Sequence, residues 1–359
     1  MSRSHHYGLI LAGGRGTRFW PRSRRARSKQ VLNFLGERTL IQQTVDRLSA
    51  VLPPERIWIL TNDNLREEII RQLPEVPKKQ ILAEPAQRNT APCIGLAAHI
   101  LHSIDPKAVM GVFPADHVIT KPKKYAKLLR PAFKSAEAGN IAVLGIQPRW
   151  PETGYGYIEF GKGVKAGSRD VEKVTSFREK PDAKTAKKFL AAGRFFWNAG
   201  MFFWKAETVL EALRRHQPKT WTLLAGLPAW GKRDFASRVA ESFPRCENIS
   251  IDYAVLEKAK NVVGIAIDDI GWNDVGSWNA VYELLDRDSD GNAFISDTLA
   301  TDSSGSYVDA KGKFVALLGV KDLVVVDTPD ALLIADRNRA QEVGAIVKAL
   351  EQRKRDDLL

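Results

Sequence analysis

Short apolar runs alternate with helical periods through the first half of the chain, and nothing else in the sequence restricts the fold so tightly. The runs cover residues 7–12, 57–61, 80–84, 109–114 and 141–146. Between them, residues 39–50, 64–73, 90–103 and 124–138 carry apolar side chains at helical spacing, with Thr39 and Thr90 placed to act as N-caps. A strand that is apolar at every position is buried on both faces, and strands joined through helices run parallel. The expectation is therefore an α/β fold, a doubly wound sheet covered by helices on both sides. Ligands of such sheets sit beyond the carboxyl ends of the strands. The residues that end each run are thus the first functional candidates.

The first run ends abruptly at Gly13, Gly14 and Gly16. Glycine lets backbone approach a ligand closely, and successive amides in such a turn form an anion-binding concavity. Arg15, Arg18, Arg22, Arg24, Arg25, Arg27 and Lys29 follow, with no acid among them. Glycines and then cations suggest a polyphosphate; the competing reading is a strand-to-helix turn with a solvated basic face. Two named motifs fail. A P-loop ends in Gly-Lys-Ser/Thr, whereas Gly16 is followed by Thr17 and Arg18. A dinucleotide fingerprint needs a third glycine where Phe19 stands.

With 359 residues, 44% of them hydrophobic and 27% charged, the chain suits a soluble globular protein of two lobes. The net charge of +12 raises nucleic acid as a partner. The excess is concentrated between Arg15 and Lys29, without zinc spacing or an aromatic-rich RNA motif, which fits a small anionic ligand better. No run approaches the ~18 apolar residues of a membrane span. The first seven residues lack the apolar core of a signal peptide. Cys93 and Cys246, far apart, read as reduced thiols of a cytoplasmic protein.

Later strand ends supply the other candidates. Glu84-Pro85-Ala86-Gln87-Arg88-Asn89-Thr90 ends the third run, and Phe113-Pro114-Ala115-Asp116-His117 ends the fourth. A carboxylate there is either a cap or a ligand to something positive, while His117 reads as structural. Residues 154–160 alternate as a strand with Gly154 and Gly156 at its entry, and a second strand, 171–178, leads into Glu179-Lys180-Pro181-Asp182 and a helix over 183–192. In the aromatic stretch 195–204, Asn198 and Gly200 interrupt what otherwise reads as core; asparagine offers the donors and acceptor that suit sugar hydroxyls. Glu179 could accept from hydroxyls and Lys180 could meet a phosphate. Ser250 reads as the N-cap of a helix over 250–258, with Asp252 favoured near its N-terminus. Asp274 precedes a Gly-Ser turn before a helix over 278–285. From residue 290, short strands (293–295, 306–308, 313–318, 323–327 and 331–334), turns such as 309–312 and a closing helix over 340–353 define a small β-rich domain.

Residues 11–21, Leu-Ala-Gly-Gly-Arg-Gly-Thr-Arg-Phe-Trp-Pro, followed by Ser28-Lys29-Gln30, resemble the signature of the sugar-1-phosphate nucleotidylyltransferases, nearest to the bacterial mannose-1-phosphate guanylyltransferases. Pro-Ala-Asp-His (114–117), Gly-Tyr-Gly-Tyr-Ile (154–158), Glu-Lys-Pro (179–181), Trp-Asn-x-Gly-Met (197–201) and Trp-x-Asp-Val-Gly-Ser-Trp (272–278) extend the resemblance over nearly the whole chain. Phe177-Arg178 before Glu-Lys-Pro, and Ala199 in place of a commoner serine, depart from the pattern.

The resemblance implies a Rossmann-like mixed sheet over residues 1–289 and a short β-helix-like domain over 290–359. It implies that GTP and mannose 1-phosphate give GDP-mannose and pyrophosphate. Leu11, Ala12, Gly13, Gly14, Arg15, Gly16, Thr17, Glu84, Pro85, Asn89, Thr90 and Asp116 would bind nucleotide, with Arg18 and Lys29 catalytic. Gly156, Glu179, Lys180, Asn198, Gly200 and Asp252 would bind the sugar phosphate, and Asp116 and Asp274 would share Mg²⁺. The expected partners are these two substrates, with neither nucleic acid nor membrane, and homodimerisation is left open. The chain ends short of the fused isomerase domain of longer relatives, so the expectation is transferase activity alone. The alternatives are a sister enzyme with another sugar phosphate or nucleotide, and a catalytically silent homologue that senses nucleotide sugars.

Overall fold

The computed structural model describes residues 4–359. The first runs become strands β1 (His6–Leu11), β2 (Ile57–Asn62), β3 (Ile81–Glu84) and β4 (Val109–Pro114). They lie side by side, all parallel, in the order β3-β2-β1-β4. Helices α1 (Leu40–Ser49), α2 (Asp63–Gln72), α3 (Thr90–Ile104) and α4 (Pro122–Glu137) follow these strands in turn. Adjacent residues of β1 point to opposite faces. Leu9 joins the core that contains Ile94 and Leu101 of α3, while Ile10 joins the one that contains Ile41 and Leu48 of α1. Both are fully buried, which is why the run has no polar alternation.

Thr39 caps α1 in a reciprocal capping box with Gln42. At α3 the expectation shifts by one residue. Asn89 is the cap and Thr90 the first helical residue, because the Asn89 side-chain Oδ1 accepts from the Thr90 amide and leaves the threonine hydroxyl for another partner.

The sheet continues through β6 (Ile141–Ile146), β7 (Tyr157–Phe160), β8 (Glu172–Arg178), β9 (Phe195–Lys205) and β10 (Val262–Ile267), while β5 (Val118–Ile119) and β11 (Trp272–Asn273) form a separate two-stranded pairing. The full order is β3-β2-β1-β4-β9-β6-β10-β8-β7, with β11 paired to β5. The sheet is mixed, as the resemblance implies: β9 runs antiparallel to both β4 and β6. At 11 residues it is long enough to pair with β7 at its start and with β4 and β6 further along. It thereby welds the sugar-motif half onto the first half in one sheet. β10 comes from an apolar run that the sequence reading does not single out.

Two further expectations change. Residues 154–156 form a turn, not strand, and β7 begins only at Tyr157. The helix expected from Ser250 is a single wide π turn, Asp252–Leu256, whose Ala254 and Val255 are buried in the core.

The last part is a short β-helix. Strands β12 (Ala293–Phe294), β14 (Tyr307–Asp309) and β16 (Leu323–Thr328) stack in parallel, as do β13 (Thr298–Thr301) and β15 (Val315–Leu318), and β17 (Ala331–Asp336) closes antiparallel on β16. Asp309, expected in an open turn, ends β14 and is buried. A helix, Val343–Gln352, completes the domain.

The segment after the glycines lies between the two domains. Phe19, Trp20, Leu32 and Phe34 share one apolar cluster with Trp278, Tyr307, Val324, Leu333 and Val347. Most of its cations bind the β-helix domain. Arg22 donates to Asp309 Oδ2 at 2.8 Å, Arg24 to Asp330 Oδ1 at 2.9 Å and to the Leu358 carbonyl at 2.6 Å, and Arg25 to Asp356 at 2.8 Å. The window therefore has two uses: Arg22, Arg24 and Arg25 hold the second domain in place, while Arg15, Arg24 and Arg25 also line a cavity beside the glycines.

Candidate functional site

A cavity of about 630 Å³ opens beyond the carboxyl ends of β1, β3 and β4. It brings together Leu11, Ala12, Gly13 and Gly14 from the first motif, Glu84, Asn89 and Thr90 from the second, and Asp116 from the third. From the other half come Gly156, Glu179, Lys180, Asn198, Gly200, Asp252 and Asp274. An adjoining cavity of about 510 Å³ is lined by Gly13, Gly14, Arg15, Thr17, Glu84 and Pro85, with Glu351 from the C-terminal helix on its far side.

The glycine turn is shaped from behind. Gln30 donates to the carbonyls of Ala12 (2.7 Å) and Gly14 (3.0 Å), Ser28 to Gly14 (2.6 Å) and Ser23 to Arg15 (3.1 Å). With the carbonyls drawn back, the amides of Gly13, Gly14, Arg15 and Gly16 make no hydrogen bond among the described residues. Amides left in this state at a turn are an anion cradle. Gly16 sits at φ 60°, and a Cβ there would lie 2.7 Å from the Lys29 Cβ. Glycine at that position is what lets Lys29 pass beneath the turn.

Lys29 is the centre of the site. Its side chain is 8% exposed, and its ammonium donates to Asp116 Oδ2 at 2.8 Å and to the Asp274 carbonyl at 2.6 Å. Desolvation pushes the Asp116 carboxyl up, but Lys29 and His117 outweigh it and hold the group below its ordinary value. His117 is neutral for the opposite balance: burial lowers it more than Asp116 raises it. Its Nδ1 accepts from the Trp272 indole at 3.2 Å, and the ring lines the cavity. Arg18 donates to Gln341 at 2.6 Å, and its guanidinium lies beside Gly276, close to the Asp274 carboxylate; like Lys29 it lines neither cavity. Arg15, paired with Glu351, lies at the smaller cavity instead.

On the sugar-motif side, Asn198 donates to Asp252 at 3.1 Å and accepts from the Gly200 amide at 3.1 Å. Gly156 fits tightly here, since a Cβ would lie 2.4 Å from Glu179 Oε2. Burial, reinforced by Asp252, raises the Glu179 carboxyl to about 7 against the pull of Lys180. Burial likewise raises Asp252 to about 6 and Glu84 to about 7. Buried carboxyl groups with hydrogen-bonding capacity suit neutral hydroxyls and amides. Thr90 is partly structural, because its hydroxyl accepts from the Ile251 amide at 2.8 Å and ties the nucleotide-motif loop to the Asp252 turn.

Three non-glycine residues of these loops hold positive φ: Asn89 (62°), Lys180 (44°) and Val275 (48°). Valine is β-branched, and such a conformation there stores strain that the surroundings must fix. The Asn273 side chain does so by accepting from the Val275 amide at 2.7 Å.

Sequence reasoning missed Gln30 and Ser28 as shapers of the cradle, although both stand in the motif that contains Lys29. It also missed Tyr155, which donates to Asp274 Oδ1 at 2.6 Å.

A doubly wound sheet with an anion cradle at one strand end and a hydroxyl-binding group facing it defines a protein that brings a polyphosphate to a polyhydroxylated partner. The chain belongs to the nucleotidyl transferase family, whose pattern matches residues 7–291. Residues 296–350 match the MannoseP isomerase/GMP-like beta-helix domain. The chain is 38% identical over 359 residues to the mannose-1-phosphate guanylyltransferase of Escherichia coli (strain K12), covering 98% of this chain and 74% of that one. It is 38% identical over 354 residues to the alginate biosynthesis protein AlgA of Pseudomonas aeruginosa, covering 97% and 73%. A crystal structure described as mannose-1-phosphate geranyltransferase from Thermus thermophilus superposes with a TM-score of 0.84 at 33% identity, covering 97% of this chain and all of that one.

Proposed function

We propose that the protein is a mannose-1-phosphate guanylyltransferase, converting mannose 1-phosphate and GTP into GDP-mannose and pyrophosphate. Relatives so named align along nearly the whole chain. The observation that carries the reading is Lys29, whose ammonium joins Asp116 to the Asp274 carbonyl, two residues that line the cavity.

A phosphate oxygen of the sugar attacks the α-phosphorus of GTP in line. The new P–O bond forms as the bond from that phosphorus to the bridging oxygen breaks, and the electron pair leaves with pyrophosphate. The attacking oxygen is already anionic, so no general base is needed, and the neutral His117 is not asked to serve as one. The difficulty is the approach of two anions, since repulsion between unit charges at 4 Å is roughly 4 kcal/mol at an effective dielectric near 20. The amides of Gly13 to Gly16 cradle phosphate oxygens, Lys29 supplies a fixed positive charge at the junction, and Arg15 faces the departing pyrophosphate. Glu179, Asn198 and Asp252 orient the sugar, with Lys180 beside its phosphate.

Asp116 and Asp274 fit a magnesium ion. Among the described residues, Asp116 Oδ1 and Asp274 Oδ2 make no hydrogen bond, and Mg²⁺ usually takes one or two carboxylates and completes its shell with water and substrate phosphates. Bound there, it would supply positive charge to the α-phosphate and the incoming sugar phosphate. The buried free thiols Cys93 and Cys246 suit the cytoplasm. Among the described residues, no helix is long and apolar enough to cross a membrane.

The test is pyrophosphate release from a panel of GTP, ATP and UTP against mannose and glucose 1-phosphates, with magnesium present or chelated. The expected result is fastest release for GTP with mannose 1-phosphate, abolished by chelation. Release with no pair, or faster release with UTP and glucose 1-phosphate, would overturn the reading.

A further inference from the structure

Tyr155 lies in the turn that enters β7, next to Gly156 of the sugar side. Its ring packs edge-on between Trp197, at 5.3 Å, and Trp272, at 5.2 Å. Its hydroxyl donates to Asp274 Oδ1 at 2.6 Å.

These contacts complete a ring. Tyr155 holds Asp274 Oδ1, Lys29 holds the Asp274 carbonyl and Asp116 Oδ2, and His117, next to Asp116, accepts from the Trp272 indole, on which Tyr155 packs. The strained Val275 follows Asp274 directly. The Asp274 carboxylate thus has one oxygen tied to the sugar-side turn and the other, Oδ2, left for a cation. A carboxylate on a strained turn has no other hydrogen-bonded side-chain partner among the described residues to fix its rotation.

We propose that Tyr155 is a positioning residue: its hydroxyl orients the Asp274 carboxylate toward the reacting phosphates and links the sugar-binding turn to the metal-binding acid. The proposal rests on the guanylyltransferase reading and on Asp274 as a magnesium ligand. It extends them to Tyr155, which lines the same cavity and acts through Asp274.

The test is Tyr155→Phe, which keeps the ring between the two tryptophans and removes only the hydroxyl. Wild type, Tyr155→Phe, Asp274→Asn and the double variant are compared for kcat, for KM of mannose 1-phosphate and for Mn²⁺ binding, the last followed by the free-ion EPR signal in the presence of GDP-mannose. Melting temperature confirms that each is folded. The expected outcome for Tyr155→Phe is a kcat lower by about tenfold or more, the scale of losing one hydrogen bond to a charged group. KM for mannose 1-phosphate stays within twofold and Mn²⁺ binds several-fold more weakly. The double variant is no slower than Asp274→Asn alone, because Tyr155 acts through that carboxylate. An active wild type with Tyr155→Phe unchanged in kcat and Mn²⁺ affinity would overturn this proposal alone, as would full additivity in the cycle. A wild type that forms no GDP-mannose would remove the functional reading and this proposal with it.

Discussion

Replacing Lys29 with methionine keeps the length and apolar stem of the side chain and removes only its charge and donors. The geometry sets the scale. An ammonium 2.8 Å from the Asp116 carboxylate corresponds to about 6 kcal/mol of attraction at an effective dielectric near 20. The Asp116 side chain is 36% exposed, so water entering the cavity replaces much of that, and the net worth falls to the ~1.5–3 kcal/mol of a hydrogen bond to a charged group. Folding should therefore survive with a modest drop in melting temperature. Turnover should suffer more, since in the transition state the ammonium faces additional negative charge; loss of one such group costs on the order of 10²–10³ in kcat. A second signature is electrostatic. In the wild type, Lys29 helps to hold Asp116 below its ordinary pKa, against desolvation. Without Lys29 the desolvation prevails, Asp116 protonates at higher pH, and the acid limb of the rate profile moves upward. The assay is continuous pyrophosphate release at saturating substrates from pH 5 to 9, with melting curves in parallel. A Lys29→Met protein that retains kcat within threefold of wild type, with an unmoved acid limb, would refute the reasoning.

Two further substitutions test other parts of the molecule. Glu179 is raised from 4.5 to about 7, so between those values an unfolded chain sheds a proton that the native protein keeps. Stability from this group is present in full below about pH 4.5 and lost as pH rises through 7, a change of about 3 kcal/mol; Glu179→Gln should narrow the difference in melting temperature between pH 5 and pH 8, and an unaltered difference would count against the shift. Arg22→Ala should destabilise by about 3–5 kcal/mol, because it strands Asp309, whose side chain is 4% exposed, without its cation. Adding Asp309→Asn should recover part of that loss in denaturant titrations, and a double variant no more stable than the single would contradict the pairing.

Much of the site was legible because strand ends are readable. A continuous apolar run announces a buried strand, the residue after it must lie at the carboxyl edge, and Glu84, Pro114 and Asp116 follow from that rule alone. What could not be read depends on contacts between distant segments. Residues 154–160 read as one alternating strand; the segment holding the two glycines is instead a turn, and that turn carries the Tyr155 phenol to Asp274. Charge density misled in the same way. The sequence shows cations from Arg15 to Lys29 but not the acids at 309, 330 and 356 that meet several of them. The apolar run of β10 was visible, but it sits outside the alternation that made the earlier runs conspicuous.

The placement of those arginines joins the two domains energetically as well as sterically. The cradle is held from behind by Gln30, Ser28 and Ser23, and the segment bearing these residues is clamped on its other side by the β-helix domain. Trp20 shows the arrangement in one side chain: its ring is buried in the shared core, its indole donates to the Leu358 carbonyl at 2.9 Å, and its own carbonyl accepts from Trp278, four residues beyond Asp274. A loop whose four amides make no hydrogen bond among the described residues gains little from its own hydrogen bonding, so its shape comes from what surrounds it. The β-helix domain supplies part of that surrounding through contacts that touch no substrate. Through these contacts the β-helix domain packs against the segment that bears both the glycine turn and Lys29.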